Sequence, residues 1–297
     1  MRTPTCLNRR RRVVVACVVT IAACCVGPAV AADADPSPED SAMWQRVRQS
    51  LFQSRAIDSN AAGVITLDAP VRAEDASTVP IAIHTGMAQT AARHVEKVYL
   101  IIDRNPSPIA AVFRFSIGSG RADIETRVRI EEYTHMRAIA EMSDGTLVMA
   151  TRWVKASGGC SAPAGKDAVA ALASVGRMKM RVEGPVIVGR PVQAQLMISH
   201  PNSSGLAMDQ VTHLYQPPYF VRKVSVSYAG KPILEADVDF SISENPNFRF
   251  FFVPDGSGTL EAKVVDSQDL SFTDRLAIVP KPPAGQTAQA VDRQREP

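Results

Sequence analysis

The chain has 297 residues, 45% of them hydrophobic, 21% charged and 6% aromatic, with a formal net charge of +3. That much apolar material supports one large domain or two small ones, and it excludes disorder over most of the length. Five arginines and no acid fall within residues 1–32, which leaves 28 basic and 30 acidic residues beyond them. The basicity belongs to the leader, so the rest of the chain has no charge signature for nucleic acid or an anionic membrane surface.

The leader has the three parts of an export signal. Arg9–Arg12 precede an apolar run from Val13 to Val26, and Gly27-Pro28-Ala29-Val30-Ala31 supplies a small-residue cleavage site. The run is too short to span a bilayer comfortably, which argues against a stable membrane span. Arg10-Arg11-Arg12-Val13-Val14 also fits a loose twin-arginine pattern, and Ile21-Ala22-Ala23-Cys24 resembles a lipoprotein site. The Ala-Val-Ala site is favoured over the latter, so the expected product is a soluble periplasmic protein.

Beyond the leader, Ser37-Pro38-Glu39-Asp40 predicts a helix start, with Ser37 as cap and Met43, Trp44, Val47, Leu51 and Phe52 on one face. Strands follow. Val79, Ile81 and Ile83 alternate with Pro80, Ala82 and His84, and Ile124, Thr126, Val128 and Ile130 alternate with Asp123, Glu125, Arg127 and Arg129. Further runs at Val64–Leu67, Val95–Asp103, Ala110–Ser116, His135–Met142 and Thr146–Val154 complete a pattern that predicts a sandwich over residues 33–156.

Composition shifts at 157–175, where Ser157-Gly158-Gly159-Cys160-Ser161-Ala162-Pro163 holds no large apolar residue and an alanine-rich stretch, Lys166–Val175, follows. A second all-β pattern fills 176–280, with alternating runs about Met178, Leu196, Val226, Ala236, Phe250, Ala262 and Leu276 and a hairpin turn at Ala229-Gly230. Residues 281–297 have almost no apolar content and read as a disordered tail. The expected class is all-β: two immunoglobulin-like antiparallel sandwiches in tandem, with a short N-terminal helix.

The chemistry-bearing residues are sparse. The chain has no phosphate-binding glycine loop, nucleophile elbow or His-Glu-x-x-His, and its histidines, at 84, 94, 135, 200 and 213, lack metal-ligand spacing. His200, Met208 and His213 read as loop residues rather than a copper site, Glu131-Glu132 as a turn, and Phe248–Val253 as core.

Cys160 is the one cysteine beyond the leader. A free cysteine is commonly a small buried hydrophobe. Here the neighbours are too small to build a pocket, which predicts an exposed thiol on a flexible arm made by Gly158, Gly159 and Ser161. About ten such residues extend ~30 Å, enough to carry a covalent cargo to a partner's active site.

At this point the chain resembles two families of periplasmic sulfur oxidation. The first half is similar to SoxY in Val64–Pro70, Asn105-Pro106-Ser107-Pro108, Ala140–Gly145 and Gly158-Gly159-Cys160. The second is similar to SoxZ in Ile198-Ser199-His200-Pro201, Tyr228-Ala229-Gly230-Lys231, Asn245-Pro246 and Ser257–Leu260. The resemblance implies a non-catalytic carrier that holds sulfur intermediates, of the thiosulfate-oxidation type, on Cys160. It implies sulfur-oxidation enzymes as partners, pairing of the two halves within the chain, and no cofactor beyond the covalent sulfur adduct. SoxY ends at its Gly-Gly-Cys-Gly-Gly arm, whereas here the chain runs on. The arm is then a tethered loop. Fused proteins of this kind also accompany quinoprotein (pyrroloquinoline quinone) alcohol dehydrogenases, so an assembly module serving such an enzyme or a cytochrome c partner is the alternative expectation.

Overall fold

The structure, a computed structural model, describes residues 35–163, 168–209 and 212–282. The expected leader, most of the expected tail and part of the Lys166–Val175 stretch lie outside the described residues.

The N-terminal helix begins later than the capping signal predicts. Pro38–Asp40 form a single 3-10 turn, and α1 (Ala42–Phe52) takes Ser41 as its cap, whose Oγ accepts from the Trp44 N–H at 3.1 Å. A helix starting at Pro38 would need the Pro38 carbonyl to accept from Ala42. Arg137 takes that carbonyl instead, donating from Nη2 at 2.5 Å.

Fifteen strands follow among the described residues. The first half holds β1 (Ile57–Asp58), β2 (Ile65–Asp68), β3 (Val79–Thr85), β4 (Val95–Ile102), β5 (Ile109–Phe115), β6 (Ile124–Val128), β7 (Thr134–Met142) and β8 (Leu147–Val154). After the short α2 (Ala168–Ala173), the second half holds β9 (Met178–Glu183), β10 (Val192–Ile198), β11 (Val221–Tyr228), β12 (Lys231–Val238), β13 (Asn247–Phe252), β14 (Gly258–Asp266) and β15 (Ser271–Ile278).

Each half is two-layered and immunoglobulin-like, and both layers continue from one half into the other. One sheet runs β1-β8-β7-β4-β5-β12-β11-β14-β15 and the other β2-β3-β6-β13-β10-β9. Every pairing is antiparallel except β1 with β8. The halves join where β12 pairs with β5, from Leu234 opposite Phe115 to Val238 opposite Ala111, and where Arg249 of β13 faces Glu125 of β6. Phe113 and Phe248 meet edge to face between the layers at this seam, with ring centres 6.3 Å apart, and a single apolar core runs through both halves.

The alternating positions of β10 to β14 are buried as the period-2 reading requires, including Phe248, Phe250 and Phe252. In the first half β7 is buried on both faces, because Trp44, Val47 and Phe52 of α1 cover Ile101, Ile139, Leu147 and Met149 on the outer side of the nine-stranded sheet.

Shared sheets and a shared core make the halves one cooperative unit. Urea unfolding is therefore expected to show one transition, coincident by far-ultraviolet circular dichroism and by fluorescence. Both tryptophans, Trp44 and Trp153, sit in the first half, so a separately melting second half would be seen as non-coincident curves.

Candidate functional site

The chain leaves β8 and stays pinned to the first half. Lys155 donates its N–H to Val71 O and its carbonyl accepts from Ala73 N–H. The Gly158 and Gly159 amides then donate to Glu131 O at 2.8 Å and Ile130 O at 2.9 Å, so the expected arm runs alongside the segment that follows β6. Gly159 is a contact residue here. A Cβ at that position would lie 2.0 Å from Ala76 O and 2.8 Å from Ile130 O, both backbone atoms. Gly158 has a φ of +80° and open space around it, so its glycine answers to conformation rather than packing.

Cys160 is fully buried, which overturns the expectation of an exposed thiol. The sequence argument required large apolar neighbours to build a pocket. The structure buries the thiol by docking the backbone instead. Glu131, expected to be only part of a turn, clamps the segment: Oε2 accepts from the Cys160 N–H at 2.8 Å and the Ser161 N–H at 3.1 Å, and Oε1 accepts from Ser161 Oγ at 2.9 Å. From the second half, Ser204 Oγ donates to Cys160 O at 2.5 Å. The cysteine thus lies where both halves meet.

Arg129 is the second departure. The alternation places it on a wet face, yet it is 2% exposed because the docked segment and the 202–204 loop cover it. Its Nη1 donates to Gly159 O at 3.2 Å and its Nη2 to Asn202 O at 3.4 Å. Asn105, from the Asn-Pro-Ser-Pro turn, holds this whole stretch in place. Its side chain accepts from the Glu131 N–H at 3.0 Å, donates to Arg129 O at 2.8 Å, and reaches Ser241 Oγ of the second half at 3.0 Å.

Burial pushes the Cys160 thiol up to about 12, with the Glu131 carboxylate adding to the rise and the Arg129 guanidinium opposing it. Docked, the group is a protonated thiol and a poor nucleophile. None of the hydrogen bonds of Gly158–Ser161 involves a histidine. His200 is buried behind the loop: its Nδ1 accepts from the Asn202 N–H at 3.0 Å, so in the neutral ring Nε2 carries the proton, 3.7 Å from Asp266. Burial moves its pKa down. Pro201 and Ser203 of the same loop border an open apolar groove of about 660 Å³ with Leu172, Tyr219, Leu270 and Phe272. Among the described residues no group of three or more His, Cys, Asp or Glu side chains could hold a metal, and no helix is long and apolar enough to cross a membrane.

Glu131→Ala removes three acceptor contacts from the docked segment. The expected result is a loss of about 2 kcal/mol of docking free energy, read as an increase of at least about tenfold in the rate at which iodoacetamide modifies Cys160. An unchanged rate would show that Glu131 does not hold the segment.

Two sandwiches fused through both sheets, with a cysteine clamped where they meet, define a tandem immunoglobulin-like protein in which Cys160 is the one thiol among the described residues. The family model of sulfur oxidation protein SoxY matches residues 48–160 and that of sulphur oxidation protein SoxZ matches residues 180–277. The chain belongs to the SoxY–SoxZ family, with the two domains in tandem on one polypeptide. No curated protein matches it. Among solved structures it is similar to a superoxide reductase (neelaredoxin) from Ignicoccus hospitalis, at 15% identity over 31% of this chain and 78% of that one, with a TM-score of 0.29. It is also similar to fibronectin(III)-like modules of Clostridium thermocellum CbhA, at 13% identity over 74% of this chain and 95% of that one, with a TM-score of 0.23.

Proposed function

We propose that this chain is a covalent sulfur carrier of the thiosulfate-oxidation type, exported to the periplasm, which holds its cargo on the thiol of Cys160 and presents it to sulfur-oxidation enzymes. The observation that carries this reading is that the SoxY match ends on Cys160, the one free cysteine among the described residues, held in place by hydrogen bonds and packing with no covalent link. Such bonds break and re-form without chemistry. The buried segment is then the resting state of the carrier: Ser204 and Glu131 release it, Gly158 turns it outward, and the thiol ionises on reaching water. The chain itself catalyses nothing in this scheme and needs no cofactor beyond the sulfur adduct. Partners make and break the bonds to sulfur.

The test is the intact mass of the protein taken from the exporting cell without reductant, before and after thiol reduction. The expected result is a reducible adduct of sulfur or sulfonate mass on Cys160, absent from a Cys160→Ser variant that also fails to support sulfur oxidation. A thiol that stays unmodified in the presence of sulfur donors and their processing enzymes, or full function in the serine variant, would end the proposal.

A further inference from the structure

The loop that covers Cys160 is itself held by a histidine. Asn202 stands at a φ of +45°, a left-handed turn that a residue with a Cβ keeps only where its surroundings hold it. That turn brings two groups to the Cys160 segment. The Asn202 carbonyl accepts from Arg129, which also holds Gly159 O, and Ser204 Oγ donates to Cys160 O. Behind the turn, His200 Nδ1 accepts from the Asn202 N–H at 3.0 Å, and the Asn202 side chain ties Val221 N–H and Ile242 O. The other edge of the ring is unfinished. His200 Nε2 and Asp266 Oδ2 are buried 3.7 Å apart, too far for a hydrogen bond, and neither has a hydrogen-bond partner. Asp266 is fixed in place, since its Oδ1 accepts from the Gln268 and Leu270 N–H groups, both at 2.9 Å. Tyr219 packs edge-on against the ring at 4.5 Å, with its phenol toward the same carboxylate. Asp266 is the charge that acts on the ring. Arg129, with Glu244 and Asp75 acting on it, stands beyond Asn202, and Arg222 holds the Asp266 backbone carbonyl and pairs with Asp269.

We infer that His200 is a positioning residue for Cys160, which keeps the thiol covered while its ring is neutral and lets it out when the ring takes a second proton. This rests on the sulfur-carrier reading above and adds to it a control on when the thiol is offered to partners. The neutral ring serves Asn202 and leaves Asp266 waiting. A second proton enters at Nδ1, so that N–H faces the Asn202 N–H, donor against donor. The left-handed turn loses the bond that holds it, and Nε2–H closes onto Asp266. Ser204 then withdraws from the Cys160 carbonyl. The sign of the pH dependence follows. Burial holds the His200 pKa below its ordinary value of 6.5, with Asp266 opposing, so the released state binds the proton more readily than the covered one. Covering is at full strength above ~6.5 and weakens as pH falls below it. The thiol's own titration lies far above that range.

The experiment follows the reaction of Cys160 with 4,4′-dithiodipyridine on the purified full chain from about pH 7.5 to about pH 5.5, read as the mass of the peptide that carries Cys160. The thiolate attacks one sulfur of the reagent, the S–S bond breaks, and thiopyridone leaves with the electron pair. Each rate is divided by that of free glutathione at the same pH, which removes the titration of the reagent and the loss of thiolate common to both thiols. The divided rate is expected to rise about tenfold as pH falls, the effect of one linked proton over one pH unit. His200→Asn keeps an oxygen for the Asn202 N–H and takes no proton, so its divided rate is expected to stay flat at the covered level. Glu131 and Asp239, the carboxylates that act on Cys160, are unchanged in that variant. A rise that survives in His200→Asn belongs to other groups and overturns the inference, and so does a flat profile in the native chain.

A second measurement on the native chain stands even where His200→Asn does not fold. The carbon-bound ring protons of His200 are followed by nuclear magnetic resonance over the same pH range, and the divided rate is expected to stop rising where the ring has finished taking up its proton. A ring that stays neutral while the rate rises overturns the inference, and so does a ring that takes the proton with no change in rate. Both measurements are made in vitro on a thiol without cargo. The expected rise beside an adduct-free protein from cells would refute the proposed function alone, and a flat profile beside a sulfur adduct in cells would refute the role of His200 alone.

Discussion

Gly159→Ala is expected to raise the alkylation rate of Cys160 at pH 8 by at least about a hundredfold, because it removes the seat on which the thiol is buried. The added Cβ would lie 2.0 Å from Ala76 O and 2.5 Å from Ala76 C. Backbone atoms cannot move aside as the end of a flexible side chain can, so the segment must leave its seat and take Cys160 with it. The thiol falls from about 12 toward the ~8.5 of an exposed cysteine. The thiolate fraction at pH 8 then grows by about a thousandfold, and transient opening of the native segment lowers the visible gain to the stated floor. If Gly159 served only as a flexible joint, alanine there would change the rate little. Circular dichroism of the variant should be unchanged, since the lost contacts lie outside every strand.

The same burial fixes the sign of the pH dependence. The docked thiol holds its proton and the undocked one loses it above ~8.5, so between there and about 12 the undocked state binds fewer protons. So far as the thiol decides it, docking is at full strength below that window and weakens by about 1.4 kcal/mol per pH unit within it. The alkylation rate of the native chain should therefore keep climbing through pH 10, whereas that of Gly159→Ala levels off near pH 9. Coincident plateaus would show that the thiol is not protected by docking.

These expectations also mark where the residues were readable and where they were not. Strand alternation located the core because one face of each strand has a single fate, and Phe248, Phe250 and Phe252 show it. Ala229-Gly230 was readable as a turn because a glycine readily takes the positive φ that a two-residue hairpin loop needs: Gly230 stands at +77°, and Ala229 follows the turn to +47° despite its Cβ. The merging of the sheets was not readable, since β5 and β12 look like any other strands until their partner is known. The site divides in the same way. Cys160 stands out by elimination, and Gly158-Gly159 by composition, but whether a glycine serves freedom or close contact depends on Ala76, more than 80 residues earlier. Glu131 and Arg129 carried no local signal at all. Their roles arise because Asn105 holds the stretch that follows β6 against a segment about thirty residues further on.

Asp103→Ala is expected to cost about 3–5 kcal/mol in urea unfolding and to lower the melting temperature by roughly 10 °C. Asp103 accepts from Arg137 Nε at 2.9 Å and Nη2 at 2.7 Å, and the two side chains are 1% and 0% exposed. The guanidinium also lies 4.3 Å above the Trp44 ring and holds the Pro38 carbonyl, so it ties α1 and its preceding turn to β7. Without Asp103 that cation stays buried with no counter-charge, which is the expensive half of breaking a buried pair. Removing both charges is cheaper. The double change Asp103→Ala with Arg137→Met should regain at least half of the loss, because the dispersion contact with Trp44 survives and no ion is left stranded. A double variant as unstable as the sum of the single ones would show that the pair contributes through hydrogen bonding to Pro38 and the sheet rather than through compensated charge. Fluorescence of Trp44 separates the two outcomes: in Asp103→Ala it reports a helix pulled loose, and in the double variant a helix still seated on β7.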